Sequence, residues 1–304
     1  MENRAVRRRR SAFAAFLATL VMALGFTAVP ADAAPQEQVD YVALGDSYTA
    51  GTGAGEPLRP PNVDCWQSQP GYVDLVGASG RIKLAANGAC HGAVLSRLSP
   101  TYDPVIYTPT VQEQIRSLVA RRDLSRRTEL VSMTAGANDL GFARVLGVCA
   151  FSDEATCSAA VTAATSPKAL GFLTASLIQT YGTIQVIAPN ARIAVLGYPL
   201  LFAPSSPFAP IPPANQAAMN QATLAVNGTI AQAVRKVDAL PLTDIKFVDV
   251  TSEFAGHAVN TAEPWLQLDP NNFAADYNFH PNKEGHRAYA SALLEAVKPA
   301  QLVR

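Results

Sequence analysis

Little in this 304-residue chain suits metal or nucleic-acid chemistry: it has four cysteines, four histidines, and 24 basic side chains against 24 acidic ones. Neither a C-x-x-C pair nor a histidine at ligand spacing accompanies the cysteines, so a structural zinc site is excluded. No internal repeat divides the chain. The only strongly basic stretch is at the start, where Arg4 and Arg7 to Arg10 precede an apolar run over residues 11–29 and then Ala31-Asp32-Ala33 before Ala34. That order predicts a secretory signal peptide over residues 1–33, leaving one domain over residues 34–304. Although the apolar run is long enough to compete as a membrane anchor, Pro30 and the small-x-small site favour cleavage.

Without residues 1–33, 19 basic and 22 acidic side chains remain, a net charge of about −3. Such a surface has nothing to attract nucleic acid. No later segment is expected to be long and apolar enough to span a bilayer, and the remaining length suits one domain, expected as a monomer.

Five apolar runs are present, ending near Leu44, Ala85, Thr134, Gly197 and Val250, and read as strands. Helices are expected over residues 69–78, 110–122, 167–188, 213–237 and 282–297. Strands alternating with helices imply a parallel sheet covered on both faces, a three-layer α/β/α domain of flavodoxin-like type with five strands. The first run stops at Gly45 within Tyr41-Val-Ala-Leu-Gly-Asp-Ser-Tyr-Thr-Ala-Gly51. Ser47 would then lie at the carboxyl end of a strand, where open α/β sheets bind ligands. This stretch is not a G-x-S-x-G elbow of the α/β-hydrolases.

A serine hydroxyl needs a base to take its proton and donors to hold an oxyanion. Among the histidines, His280 in Asp276-Tyr-Asn-Phe-His-Pro-Asn-Lys-Glu-Gly-His286 is placed best, because Pro281 holds it on a loop before a helix. His286 is expected to cap or pack locally within that helix. His91 follows Cys90, and His257 sits in a loop. Leu130-Val-Ser-Met-Thr-Ala-Gly-Ala-Asn138-Asp139 is a further strand ending in small polar residues, and the amide of Asn138 could donate to an oxyanion without titrating.

On these residues the chain resembles the SGNH (GDSL) hydrolases. Gly45-Asp46-Ser47, Gly136-x-Asn138-Asp139 and His280-Pro281 match the first, third and fifth family blocks in order, and Asn87-Gly-Ala-Cys-His-Gly92-Ala is similar to the second. The ending His-Pro-Asn-x-x-Gly-His is similar to that of secreted actinobacterial esterases and lipases. The resemblance spans roughly residues 39–297. It implies Ser47 as nucleophile and His280 as base, with an oxyanion hole of the Ser47 N–H, the Gly92 N–H and the Asn138 side-chain amide. The family usually carries aspartate three residues before the histidine, where this chain has Tyr277. Asp276 is one residue further away, so the carbonyl of Tyr277 is the expected partner of the imidazole.

Four cysteines in an exported chain read most simply as two disulfides. Three connectivities are open. Cys149 and Cys157 bracket a short polar loop and would pair locally, leaving Cys65 with Cys90, the order the resemblance also implies. A third bridge common in the relatives is missing, and Asn260 looks like one of its vacated positions. The proline-rich segment 202–213 admits two readings, an acyl-chain wall or partial lid built on Phe202, Phe208 and Ile211, or a loop packing onto its own domain. Trp66 and Trp265 carry the same ambiguity.

The expected activity is that of a secreted serine carboxylic ester hydrolase, esterase or lipase, acting on a small-molecule or lipid ester through an acyl-enzyme and needing no cofactor. A polysaccharide or cell-wall O-acetyl esterase would use the same residues with a short acyl pocket. A non-catalytic binding protein on this fold would leave Ser47 without an activating base.

Overall fold

The computed structural model describes residues 38–58, 64–204 and 211–302. The expected signal peptide and Phe208 lie outside these residues. Five strands form one sheet: β1 (Val39–Gly45), β4 (Ile82–Asn87), β5 (Leu130–Thr134), β6 (Arg192–Leu196) and β7 (Ile245–Val248). Their order is β4-β1-β5-β6-β7, and every neighbouring pair is parallel. Counted along the chain, this is the flavodoxin-like 2-1-3-4-5 arrangement, whose direction of winding reverses between the first and third strands. Here those are β1 and β5, the two strands that precede Ser47 and Asn138.

Burial on both faces explains why β1 and β5 read as nearly unbroken apolar runs rather than alternating ones; all five residues of β5 are buried. A small antiparallel pair, β2 (Glu56–Leu58) and β3 (Gln67–Gln69), follows the first turn. Helix α1 (Tyr72–Gly77) packs with α7 (Lys283–Val297), and α2 (Val111–Ala120), α5 (Pro167–Ile187) and α6 (Pro213–Asp238) form another helical layer. Local signals set several helix starts. Thr110 and Glu113 make a reciprocal capping box on α2, Ser166 caps α5 with Pro167 at its first position, and Asn282 accepts from two backbone N–H groups of α7.

Three expectations are corrected here. The segment around Cys149 and Cys157 is no polar loop; it is the corner between α3 (Phe142–Phe151) and α4 (Glu154–Ala164), with Asp153 capping α4. The small residues of this stretch form helix because the apolar side of α3 packs on α6 and the disulfide holds the corner, with the two Cα atoms 4.5 Å apart. The first helix begins at Tyr72 instead of residue 69, since residues 67–69 pair as β3. Helix α5 is long and apolar enough to cross a membrane, contrary to the expectation for the later chain. Its stripe of Leu173, Leu177, Tyr181 and Ile184 is fully buried in the protein core, and burying each such leucine or isoleucine stabilises the fold by roughly 1.5–3 kcal/mol.

Candidate active site

The turn after β1 requires glycine. Gly45 has φ +133°, and a Cβ there would collide with the carbonyl oxygen of Thr134 on the neighbouring strand. Buried Gln114 on α2 holds the same residue from the other side: its Oε1 accepts the Gly45 N–H at 2.8 Å and its Nε2 donates to the Gly45 carbonyl at 2.9 Å. Behind the turn the Asp46 carboxylate accepts from the Tyr48 N–H at 3.1 Å, the Thr134 hydroxyl at 2.6 Å and the Tyr198 hydroxyl at 2.5 Å. Thr49 completes the network by bonding both the Thr134 and Tyr72 hydroxyls. The chain therefore leaves β1 along one path, and Asp46 points into the protein while Ser47 faces the cleft. Burial pushes the Asp46 pKa up to about 6 despite its three donors.

Ser47 Oγ lies 2.7 Å from Nε2 of His280, and Nδ1 of that ring lies 2.9 Å from the carbonyl oxygen of Asn278. A carbonyl can only accept, so Nδ1 carries the proton, Nε2 is the free acceptor, and the Ser47 hydroxyl donates to it. Tyr48 and His91 pack on the ring, with centroids at 5.2 and 5.4 Å. The resulting burial, with His91 second, pushes the pKa of His280 down to about 3 and keeps it neutral.

The expected role of the Tyr277 carbonyl is corrected by this geometry. That oxygen accepts the backbone N–H of His280 at 3.1 Å, and the Tyr277 hydroxyl reaches Asp269. The reason is backbone conformation: Phe279 adopts a left-handed φ of +61°, which turns the Asn278 carbonyl toward the ring. The Phe279 carbonyl in turn accepts the Tyr48 hydroxyl at 2.7 Å, tying the histidine loop to the serine turn. The Asp276 carboxylate faces elsewhere, 3.9 Å from Nε2 of His91.

Asn138 opens a single 3₁₀ turn after β5, and its Nδ2 donates to the Ala93 carbonyl at 2.9 Å, which orients the amide at the cleft. Asp139 bonds the Leu95 N–H with both oxygens, joining this turn to the loop that carries Gly92. Burial raises the Asp139 pKa to about 7. Gly92, at φ +77°, lies on that loop; the Cys90 N–H bonds the Gly45 carbonyl at 3.1 Å, and a disulfide joins Cys90 to Cys65. The glycine is therefore held beside the serine turn, although it is not part of the main cleft wall.

The remaining histidines and aromatics have structural partners. His286 is fully buried and spans elements instead of packing locally as expected: it accepts the Tyr72 N–H at Nδ1 and bonds the Thr52 carbonyl from Nε2. Burial lowers its pKa to about 4. His257 stacks on Trp265 at 3.6 Å, while Trp66 lies against His91 at 5.5 Å. Phe202 and Ile211 are buried in the core, with Phe202 packed on Phe279, so the described ends of the proline-rich segment pack onto their own domain. Asn260 bonds both backbone groups of Ala203. Among the described residues no group of three or more potential metal ligands occurs.

A cleft opens at Ser47, Asn138 and His280, walled by Phe142, Leu146, Leu201 and Val226. Sequence reasoning missed Gln114, Thr134, Tyr198 and Asn278, because each acts through a contact distant in the chain or through its backbone. The left-handed residue before His280 carries no recognisable signal at all.

The family model for the GDSL-like lipase/acylhydrolase family matches residues 43–288. A lipase of Streptomyces rimosus is 33% identical over 289 residues, covering 91% of this chain and 94% of its own. The crystal structure of the extracellular lipase from that organism superimposes with a TM-score of 0.70 at 29% identity, covering 85% of this chain and all of the other. Phospholipase A1 from Streptomyces albidoflavus superimposes at 0.68 with 28% identity, covering 84% and 98%. With one family model spanning the sheet, the serine turn and the histidine loop, the chain belongs to the GDSL-like lipase/acylhydrolase family and is a secreted carboxylic ester hydrolase.

Proposed function

We propose that Ser47 and His280 act as a catalytic dyad in which the Asn278 carbonyl, and no carboxylate, orients the base. The observation that carries this reading is the 2.7 Å contact from Ser47 Oγ to Nε2, with Nδ1 committed to a carbonyl. Ser47 attacks the ester carbonyl carbon as His280 takes its proton. The tetrahedral oxyanion is held by the Ser47 N–H, the Gly92 N–H and Asn138 Nδ2. His280 then gives its proton to the departing alcohol oxygen, and water repeats the cycle to release the acid. Neutral His280 is ready to accept a proton at the outset, and the oxyanion beside it supplies the charge that stabilises the imidazolium once formed.

The apolar walls of the main cleft favour acyl chains longer than acetyl, as a lipase or phospholipase relative would suggest, over an O-acetyl esterase with a short pocket. Residues 1–33 are read as the leader removed on export, with cleavage near Ala33. Two disulfides suit that oxidising destination. The test is covalent labelling with a fluorophosphonate, followed by peptide mass analysis. Label is expected on Ser47, and Ser47→Ala is expected to abolish both labelling and turnover while unfolding at the same denaturant midpoint. Retained turnover would overturn the nucleophile assignment.

A further inference from the structure

Asp276 lies four residues before His280, but Nδ1 of the imidazole bonds the Asn278 carbonyl and the Asp276 carboxylate faces His91. The Asp276 carboxylate instead lines a second hollow beside His280, which adjoins the acyl cleft and shares Ala143, Leu146, Asn278 and Phe279 with it. This hollow touches His280, His91 and Asp276 but neither Ser47 nor Asn138. In acyl transfer the protonated base must hand its proton to the leaving oxygen, so the alcohol half of the ester departs on the imidazole side. The acyl half then occupies the apolar cleft beside the oxyanion donors.

The chemistry of the hollow differs from that of the acyl cleft. Phe151 and Phe273 form one wall, edge to face at 5.4 Å, and Phe151 is 75% exposed at the end of α3. No lysine or arginine is among the residues that line it. Facing groups that can carry charge are Asp276, His91 and His280, and burial lowers the pKa of both histidines, keeping them neutral. The Asp276 side chain is 46% exposed, and its nearest potential cation is the neutral His91 at 3.9 Å. An open hollow with one carboxylate, aromatic faces and no competing cation attracts positive charge.

We propose that this hollow is a leaving-group subsite for esters whose alcohol carries a cationic headgroup of the quaternary ammonium type, with Asp276 as the charge partner and Phe151 and Phe273 as the aromatic wall. The assignment rests on the Ser47–His280 reading above. Its test compares kcat/KM for butyrylcholine with that for its uncharged isostere, 3,3-dimethylbutyl butanoate, in wild type, Asp276→Asn and Phe151→Ala. Glyceryl and propyl butanoate serve as a second pair. The wild type is expected to prefer the choline ester by about 5-fold, the size of one partly screened charge contact with a cation–π contribution. That preference should shrink in high salt and fall toward 1 in Asp276→Asn, with a smaller drop in Phe151→Ala. A ratio near 1 in the wild type, or an unchanged ratio in Asp276→Asn, would overturn the subsite. So would loss of a glyceryl over propyl preference in Asp276→Asn with the choline ratio intact, which would make the hollow a polyol site. Failure of the dyad reading is distinct, since it would appear as turnover of both esters by Ser47→Ala.

Discussion

Asp46 links the buried network behind the nucleophile to the pH dependence of folding. Its carboxyl is fully enclosed, and burial raises the pKa from 3.8 to about 6 against the opposing effect of the Thr134, Tyr198 and Tyr48 donors. Between those two values the folded chain keeps the proton that the unfolded chain has lost, so stability falls by about 1.4 kcal/mol for each pH unit. The contribution is fully present below about pH 4 and is lost as the pH rises through 6, about 3 kcal/mol in all. Asp46→Asn removes the titration while keeping a side chain of the same shape. Urea unfolding of the mature chain at half-unit steps from pH 4 to 7 should therefore show the stability of wild type falling relative to that of the variant by up to that amount as the pH rises. Asp139, whose pKa is raised to about 7, adds a slope of the same sign to both proteins, and the buried His280 and His286, lowered to about 3 and 4, add slopes of the opposite sign to both, so the difference between the two proteins isolates Asp46. Parallel stability curves for the two proteins over this range would refute the reasoning.

Three further outcomes are expected. Asn138→Ala should lower kcat by about 10²-fold or more with little change in KM, because the amide is used in the transition state; steady-state kinetics on a p-nitrophenyl ester would detect an unchanged kcat. Gln114→Leu leaves the Gly45 N–H without its acceptor, a cost of about 1–3 kcal/mol measurable as a lower urea midpoint, accompanied by a lower kcat as the serine turn loosens. With a neutral ester, Asp276→Asn should reduce kcat by less than about 10-fold, whereas loss of a triad carboxylate costs about 10⁴-fold in an established serine protease. A loss above about 10³-fold would return Asp276 to the imidazole.

Much of the architecture was legible because it follows local periodicity. The five sheet strands are apolar runs that end in glycine or polar residues, and α5 and α6 announce themselves by length and by Pro167 and Pro213 at their starts. Helices α3 and α4 were not legible, since α3 is broadly apolar with a central glycine and α4 mixes alanine with β-branched and hydroxyl residues and has little amphipathic pattern, so packing on α6 decides them. Ser47, Asn138 and His280 could be singled out because each sits in a short stretch after an apolar run or before a helix. Their meeting was implied by the family resemblance and by no local pattern, as His280 is 233 residues from Ser47.

By itself, the sequence determined which elements form and which side chains could do the chemistry, because periodicity, turn-forming residues and reactive groups are local properties. Only the tertiary structure decided which group orients the imidazole. Tyr277, Asn278 and Asp276 all lie within a few residues of His280, and a single left-handed residue, Phe279, presents the carbonyl of Asn278 to the ring, whereas the Asp276 carboxylate lies beside His91. That choice rests on the backbone being held at both sides, by Tyr48 on the Phe279 carbonyl and by Gln267 on the Phe279 N–H. Gln267 is nearby in the chain but Tyr48 comes from its other end, so the conformation is fixed only once the sheet and its loops have assembled.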